Sequence, residues 1–226
     1  MKYFEKTGIN KNNFSIQDTI NILNTYGVIV FRNFFDGDEI FEKYYQDLHT
    51  LFLSVIKKHN LQIKESLNLN QIITAISEYK REEVGFVYDL GTRPIKIASG
   101  SMLKTHPTLL GLFKQLFKNG VIGFPYLGET LHIFPPGKDN FKYNLPMHQD
   151  YPYILQSPEQ FTVYANLGEN LENTGGIKIW LKSHKDGVSD AKQIKYGYWV
   201  TKNIQYYKNT YEELNLTFGK GDLAIF

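Results

Sequence analysis

Apolar and polar residues follow helical spacing in the first part of the chain. Ser15 can cap a helix, because Asp18 stands three residues later, as in a capping box. Apolar residues then recur every three or four positions until Gly27, and the short apolar run 28–31 follows. This pattern predicts a helix that ends at Gly27 and leads into a strand.

Three more helices are predicted before residue 128. Asp36 or Asp38 can cap the first of them. Its apolar stripe consists of Ile40, Tyr44, Leu48, Leu51 and Val55. Another helix is expected over 68–80, and a further one from Pro107 to the Asn119-Gly120 pair, since proline is favoured in a first helical turn. We therefore expect the region 1–128 to be rich in helix.

From about residue 131 the pattern changes to short apolar runs separated by turn residues, which is typical of β-structure. These runs are 131–134, 161–167, 177–181 and 223–226. The last run resembles the beginning of a buried strand, so we expect a further strand or two beyond it. The alternative is an edge strand that closes the domain.

Composition narrows the possible functions. A chain of 226 residues is expected to form one domain, 1–226. Its 25 basic and 23 acidic residues are scattered, which argues against a nucleic-acid partner. No cysteine is present, so a metal would need imidazole and carboxylate ligands. Without a signal segment or an apolar run of about 18 residues, we expect a cytoplasmic protein with no membrane partner.

His148 and Asp150 form the most suggestive pair for chemistry. On a strand, residues two apart share a face, so both side chains could approach one metal ion while Gln149 points to the other face. With a second histidine from elsewhere they would make a 2-His-1-carboxylate facial triad, which leaves positions open for a co-substrate and O₂. The alternative is a strand histidine that is hydrogen-bonded to a neighbour.

The motifs around this pair occur in the order and spacing of a known family. They are 26–34, 131–137, 148–153, 173–177, 183–187 and 221–223. Together they resemble the phytanoyl-CoA dioxygenase (PhyH) family of Fe(II)- and 2-oxoglutarate-dependent oxygenases. The resemblance is specific over about 130–187 and loose over 36–128.

The resemblance implies a mainly β fold with flanking helices: a double-stranded β-helix, or cupin-like jelly roll, with its core at 129–226 and without its last strands. It implies a dioxygenase that hydroxylates a small-molecule metabolite, using Fe(II), 2-oxoglutarate and O₂. In that family the histidine and aspartate of His-Gln-Asp bind iron, which assigns the metal to His148 and Asp150.

Other site residues follow from the resemblance by position. Thr130 and Asn166 fall where the family contacts 2-oxoglutarate, and Gln149 is a third candidate for the cofactor site. The amide of Asn166 could instead satisfy backbone groups at the edge of a strand. Candidates for the substrate pocket are Tyr151, Tyr153 and Tyr164. These tyrosines could equally be ordinary strand aromatics.

The chain departs from the family in one important respect. The family places a second metal histidine, and then an arginine for 2-oxoglutarate, shortly after the Gly-Asp-Leu motif at 221–223. Neither is present, and His184 occupies a family turn in which it is not a ligand. Three hypotheses remain: an oxygenase completed by a missing segment, a degenerate or truncated binding or assembly module that could form a homodimer, and a metal-free or carbohydrate-binding jelly roll.

Overall fold

The computed structural model describes residues 5–6, 15–62, 66–79, 97–117, 122–124, 131, 146–151, 160–168, 177–194 and 199–226. The helices in these ranges are α1 (Ile16–Tyr26), α2 (Glu39–Lys58), α3 (Leu69–Tyr79), α4 (Ala98–Lys104), α5 (Pro107–Leu116), a 3₁₀ turn (Ser183–Asp186) and α6 (Ile204–Thr210). The strands are β1 (Glu5–Lys6), β2 (Ile29–Phe31), β3 (Val163–Ala165), β4 (Ile177–Trp180), β5 (Ala191–Gln193), β6 (Trp199–Thr201), β7 (Glu213–Leu216) and β8 (Leu223–Ile225).

The predicted start and end signals of α1 are confirmed. The Ser15 side chain accepts a hydrogen bond from the Asp18 backbone N–H, with oxygen and nitrogen 3.2 Å apart. Gly27 ends the helix in the left-handed conformation, with φ of 76°, and its N–H donates to the Leu23 carbonyl over 2.8 Å. A residue without a β-carbon adopts this conformation with little strain, which explains why the helix ends at this glycine.

Helix α2 begins as predicted, and its buried face overlaps the predicted stripe. Asp38, one of the two predicted caps, accepts from the Phe41 N–H over 3.0 Å. Its buried residues are Phe41, Tyr44, Leu48, Phe52 and Ile56. Of the predicted stripe, Tyr44 and Leu48 belong to this buried set, and Ile40 and Val55 are partly buried and pack against the same core. The prediction missed Phe41, Phe52 and Ile56 as the most buried positions. The two phenylalanines offer more apolar area than the isoleucine and leucine predicted in their place, and this larger area turns the helix toward them.

The other two predicted helices are also found. Helix α3 lies within the predicted range 68–80. Helix α5 has Pro107 in its first turn, and the ring of His106 caps it by accepting from the Thr108 N–H over 3.2 Å. The predicted end at 119–120 falls outside the described residues, and the helix ends at Leu116.

Strand β8 lies in the middle of the main sheet. The strand order is β1-β2-β8-β3, with β8 antiparallel to both neighbours. Ala224 pairs with Val30 on one side and Tyr164 on the other. All three residues of β8 are fully buried. The run 223–226 is therefore a buried interior strand, as predicted, and the edge-strand alternative is wrong.

The main sheet is covered on both faces. Ile29, Phe31, Leu223 and Ile225 pack with the apolar faces of the helices. Val30 and Ala224 point the other way and pack with a cluster that includes residues of β7. Strands of this kind, buried on both faces, read as continuous apolar runs, which is the pattern found at 28–31 and 223–226.

The remaining described strands form two small sheets, β4 with β7 and β5 with β6, both antiparallel. About 47% of the described residues are helical and about 16% are in strands, and these strands do not close into a barrel. The mainly β jelly roll therefore stays a prediction. No helix in the described ranges is both long enough and apolar enough to cross a membrane.

Candidate metal site

The segment 146–151, which carries the His-Gln-Asp motif, is not a strand. Residues 146–150 have no regular secondary structure, with bends at Met147 and Asp150, and Tyr151 is in helical conformation. The prediction of a strand was wrong here. Pro146 has no N–H to donate to a neighbouring strand, and its carbonyl accepts from a side chain instead. One backbone contact fixes the segment: the Thr201 N–H of β6 donates to the Met147 carbonyl over 3.2 Å.

The side chains of His148 and Asp150 nevertheless meet at one point. Nε2 of His148 lies 3.3 Å from Oδ1 of Asp150. The two side chains are 23% and 33% exposed, respectively, so solutes can reach them although most of their surface is covered. The two side chains were predicted to approach each other because of strand alternation; in the structure they do so because the segment is bent.

A hydrogen bond orients each of these two side chains from behind. Nδ1 of His148 donates to the Pro146 carbonyl over 2.7 Å, which leaves Nε2 as the atom that faces Asp150. The Thr162 hydroxyl donates to Oδ2 of Asp150, which leaves Oδ1 facing His148. Metal-binding histidines usually donate their second ring N–H to a carbonyl or carboxylate in this way, and the donation fixes the ring orientation.

The spacing of Nε2 and Oδ1 fits adjacent ligands on one divalent ion. Two bonds of about 2.1 Å that meet at a right angle separate their ligand atoms by about 3 Å. The observed 3.3 Å therefore requires only a small adjustment of the side chains. A third ligand is not seen: within the described ranges, no group of three histidine, aspartate or glutamate side chains could hold a metal.

The environment of His148 changes its proton affinity in two opposing ways. Burial lowers the pKa of His148, since it disfavours the charged ring. The hydrogen bonds to Asp150 and to the Pro146 carbonyl, with the charge of Asp150, outweigh burial and raise this pKa above its ordinary value. The contact with Asp150 therefore favours the protonated ring of His148 when no metal is bound.

Gln149, between the two candidate ligands, binds the loop 187–189. Its Nε2 donates to the Gly187 carbonyl over 2.9 Å, and its Oε1 accepts from the Ser189 N–H over 2.8 Å. The sequence did not identify this loop as the partner of Gln149. A contact of Gln149 with a cofactor stays a prediction.

The Asn166 amide binds backbone groups, which is the alternative to a 2-oxoglutarate contact given in the sequence analysis. Its amide nitrogen donates to the Gly168 carbonyl and, over 2.9 Å, to the Gly219 carbonyl. Its oxygen accepts from the Tyr164 hydroxyl over 3.2 Å. Asn166 is buried, and its amide hydrogens are engaged with backbone carbonyls, as in the predicted strand-edge role. Its contact with 2-oxoglutarate stays untested.

Tyr164 belongs to the core beneath the main sheet. Its ring lies 4.9 Å from that of Phe218, and burial raises the pKa of Tyr164 to about 12. The hydroxyl therefore stays protonated at neutral pH and acts as a donor. Tyr151 is half-buried directly after Asp150. Thr130 and Tyr153 lie outside the described residues.

His184 lies at the end of α1. Its ring covers Gly27, and its Nε2 lies 3.1 Å from the Asn24 carbonyl oxygen. Arg32 forms an ion pair with Asp222 over 2.6 Å, at the turn that precedes β8.

Thr162 is the site residue that sequence reasoning missed. Its backbone pairs with Phe226 through two hydrogen bonds of 2.7 and 3.1 Å, which extend the β3–β8 ladder by one residue pair. Asp150 is thereby attached, through the Thr162 hydroxyl, to the main sheet. The apolar run 161–167 predicts the strand. No local pattern predicts that Thr162 contacts the carboxylate of Asp150, twelve residues earlier.

Comparisons with known proteins add no relatives: no family model, no curated protein and no solved structure matches this chain.

Proposed function

We propose that this protein is an Fe(II)- and 2-oxoglutarate-dependent dioxygenase that hydroxylates a small-molecule metabolite. His148 and Asp150 are the metal ligands in this proposal. The observation that supports it is the 3.3 Å approach of Nε2 and Oδ1, with the other polar atom of each side chain held by a hydrogen bond. Imidazole and carboxylate are the ligand types of the facial triad.

Each residue has a defined part in this proposal. The Pro146 carbonyl holds the His148 ring so that Nε2 is presented to the metal. Thr162 holds the Asp150 carboxylate, whose negative charge balances part of the charge of the ion. When bound, Fe(II) would supply the reduction of O₂ with 2-oxoglutarate as co-reductant, so that one oxygen atom enters the substrate and the other enters succinate as CO₂ leaves.

Anaerobic Fe(II) titration tests the metal site. Wild-type protein should bind Fe(II), and His148→Ala should bind it at least ten times more weakly. His184→Ala is the matched control, because it removes an imidazole whose nitrogen contacts the Asn24 carbonyl at the end of α1. Equal and negligible binding by wild type and His148→Ala would remove the metal site from consideration.

A succinate-release assay tests the reaction itself. Protein that contains Fe(II) should convert 2-oxoglutarate to succinate in the presence of O₂, and a panel of small metabolites should identify the substrate by accelerating this release. His148→Ala should abolish it. Uncoupled succinate release without any substrate would still establish use of the co-substrate.

A binding or assembly module without catalysis is the second candidate. The observation that favours it is that, in the part of the chain the structure describes, no third metal ligand joins His148 and Asp150. This candidate predicts that Fe(II) neither binds tightly nor protects the protein against unfolding. It would also be favoured by a homodimer that persists after His148→Ala.

A further inference from the structure

We infer that Gln149 is a positioning residue, whose side chain clamps the segment that carries His148 and Asp150 onto the loop 187–189. The part of this inference that concerns metal affinity rests on the proposed function. The part that concerns the orientation of His148 and Asp150 stands on the contacts alone.

The clamp uses both ends of the Gln149 amide. The amide nitrogen donates to Gly187, and the amide oxygen accepts from Ser189, over 2.9 and 2.8 Å. The only residue between these two partners is Val188, which is 51% exposed. A side chain that both donates and accepts over so short a stretch of backbone fixes the position and the direction of that backbone relative to its own.

The clamp also closes a ring of contacts around His148. The Ser189 hydroxyl lies 3.3 Å from the Thr201 hydroxyl oxygen. The Thr201 N–H in turn donates to the Met147 carbonyl over 3.2 Å. The residues on either side of His148 are thus connected through Ser189 and Thr201, so neither neighbour can shift alone.

The 3₁₀ turn Ser183–Asp186, which precedes the loop 187–189, is itself anchored. Just before this turn, the Lys182 N–H donates to the Tyr26 carbonyl at the end of α1, over 2.9 Å. At its last residue, Asp186 accepts from the Tyr211 hydroxyl over 2.6 Å. Gln149 therefore attaches the candidate ligands to a body that α1 and the region after α6 hold in place.

Such support matters here because residues 146–150 lack strand pairing that would otherwise hold them. Metal-binding groups must be held to within about 0.5 Å of their productive positions. Removal of residues that support ligands typically weakens metal binding about 10- to 100-fold. We expect the loss of the clamp to have an effect within this range.

The decisive variant is Gln149→Leu, which keeps the approximate shape of the side chain and removes both hydrogen bonds. Gln149→Glu keeps an acceptor for Ser189 but loses the donor to Gly187. Gln115→Leu is the control, since Gln115 is exposed on α5 and its side chain donates to the Gly111 carbonyl of the same helix. Each variant is first shown to be folded by circular dichroism at the temperature of the titration.

Two readouts are measured on each variant. Anaerobic Fe(II) titration should show affinity reduced at least tenfold by Gln149→Leu, reduced less by Gln149→Glu and unchanged by Gln115→Leu. In metal-free protein, NMR should show faster hydrogen exchange of the Ser189 N–H and of the His148 Nδ1–H in Gln149→Leu. These readouts separate a positioning role from general destabilisation, because Gln149→Leu and Gln115→Leu are both folded and are expected to differ.

The outcomes separate this inference from the proposed function. If wild type binds Fe(II) and folded Gln149→Leu binds it equally well, the inference is overturned and the function survives. If wild type binds no Fe(II), the function fails and the exchange of His148 Nδ1–H decides: faster exchange in Gln149→Leu supports positioning, and unchanged exchange overturns it. If Gln149→Leu does not fold, the same readouts on Gln149→Glu decide.

Discussion

Nε2 of His106 lies 2.8 Å from Oδ2 of Asp38, and both side chains are buried. Each of these residues also caps a helix: Asp38 accepts from an N–H of α2, and His106 accepts from an N–H of α5. The contact therefore joins the beginnings of two helices that are 68 residues apart in the chain. Because the Nδ1 atom of His106 accepts a backbone N–H, its ring is committed to a structural role.

Asp38→Ala should lower the free energy of unfolding by about 2–4 kcal/mol. The substitution removes a helix cap, and it leaves the buried Nε2–H of His106 without an acceptor. Asp36→Ala is the control, because Asp36 is exposed two residues earlier, and it should change stability by less than about 0.5 kcal/mol. Urea denaturation measures both values. Equal effects of the two substitutions would contradict the role given to Asp38.

Two glycine substitutions should have opposite effects on stability. A β-carbon at Gly27 would collide with the His184 ring, and the φ of 76° is unfavourable for alanine. Gly27→Ala should therefore lower the free energy of unfolding by at least about 1–2 kcal/mol. Gly111 lies inside α5 with open space around it, so Gly111→Ala should stabilise the protein by up to about 1 kcal/mol. Thermal unfolding of Gly27→Ala and Gly111→Ala should show a lower midpoint for the first variant and a higher midpoint for the second, relative to wild type.

The aspartate of the Gly-Asp-Leu motif has a structural explanation. Asp222 is buried, and its carboxylate accepts from the N–H groups of Asn33 and Gly219 over 2.8 Å each and from the Arg32 guanidinium over 2.6 Å. Asp222 thus fixes the turn that leads into the central strand β8 and binds it to the loop after β2.

Asp222→Ala should lower the free energy of unfolding by about 3–5 kcal/mol, since breaking a buried ion pair from one side leaves its partners unsatisfied. Arg32→Met should have a smaller effect, because the arginine side chain is partly exposed and the two backbone donors remain on Asp222. Denaturant titration gives both values. A larger loss from the arginine substitution would show that the charge of Asp222 is held mainly by Arg32.

Local signals predicted the helices well and the candidate site less well. Ser15, Gly27 and Pro107 act within a few residues of themselves, so their effects could be read from the sequence. The strand predicted at 146–151 failed because Pro146 and a side chain-to-backbone bond from His148 replace strand pairing there. The pairing of Asn166 with Gly219, 53 residues later, depends on the assembled sheet.

The sequence named the two side chains of the candidate metal site, and their close approach is found in the structure by a different route from the one predicted. The Pro146 carbonyl holds His148, Thr162 holds Asp150, and the loop 187–189 binds Gln149. The contacts of Asp150 and Gln149 do not follow from residue spacing, because each joins segments that only the fold brings together. Whether the pair binds iron stays a prediction.

The proton affinity of His148 provides a last test of the site geometry, in metal-free protein. NMR titration should show a pKa above the ordinary value of about 6.5. Asp150→Asn should lower this pKa, because it removes the charge that favours a protonated ring. Asp190→Asn is a control that removes a carboxylate from another segment, and it should leave the pKa unchanged.

The raised pKa of His148 also determines how the stability of the protein changes with pH. A histidine whose pKa is raised by folding stabilises the folded state fully below its ordinary pKa, and this stabilisation is lost as pH rises through the folded-state value. The stability of metal-free wild type should therefore fall over that range relative to Asp150→Asn. The affinity for Fe(II) should instead rise with pH across the same range, because the metal competes with the proton for Nε2. A His148 pKa that is the same in wild type and Asp150→Asn would mean that the two side chains do not meet in solution.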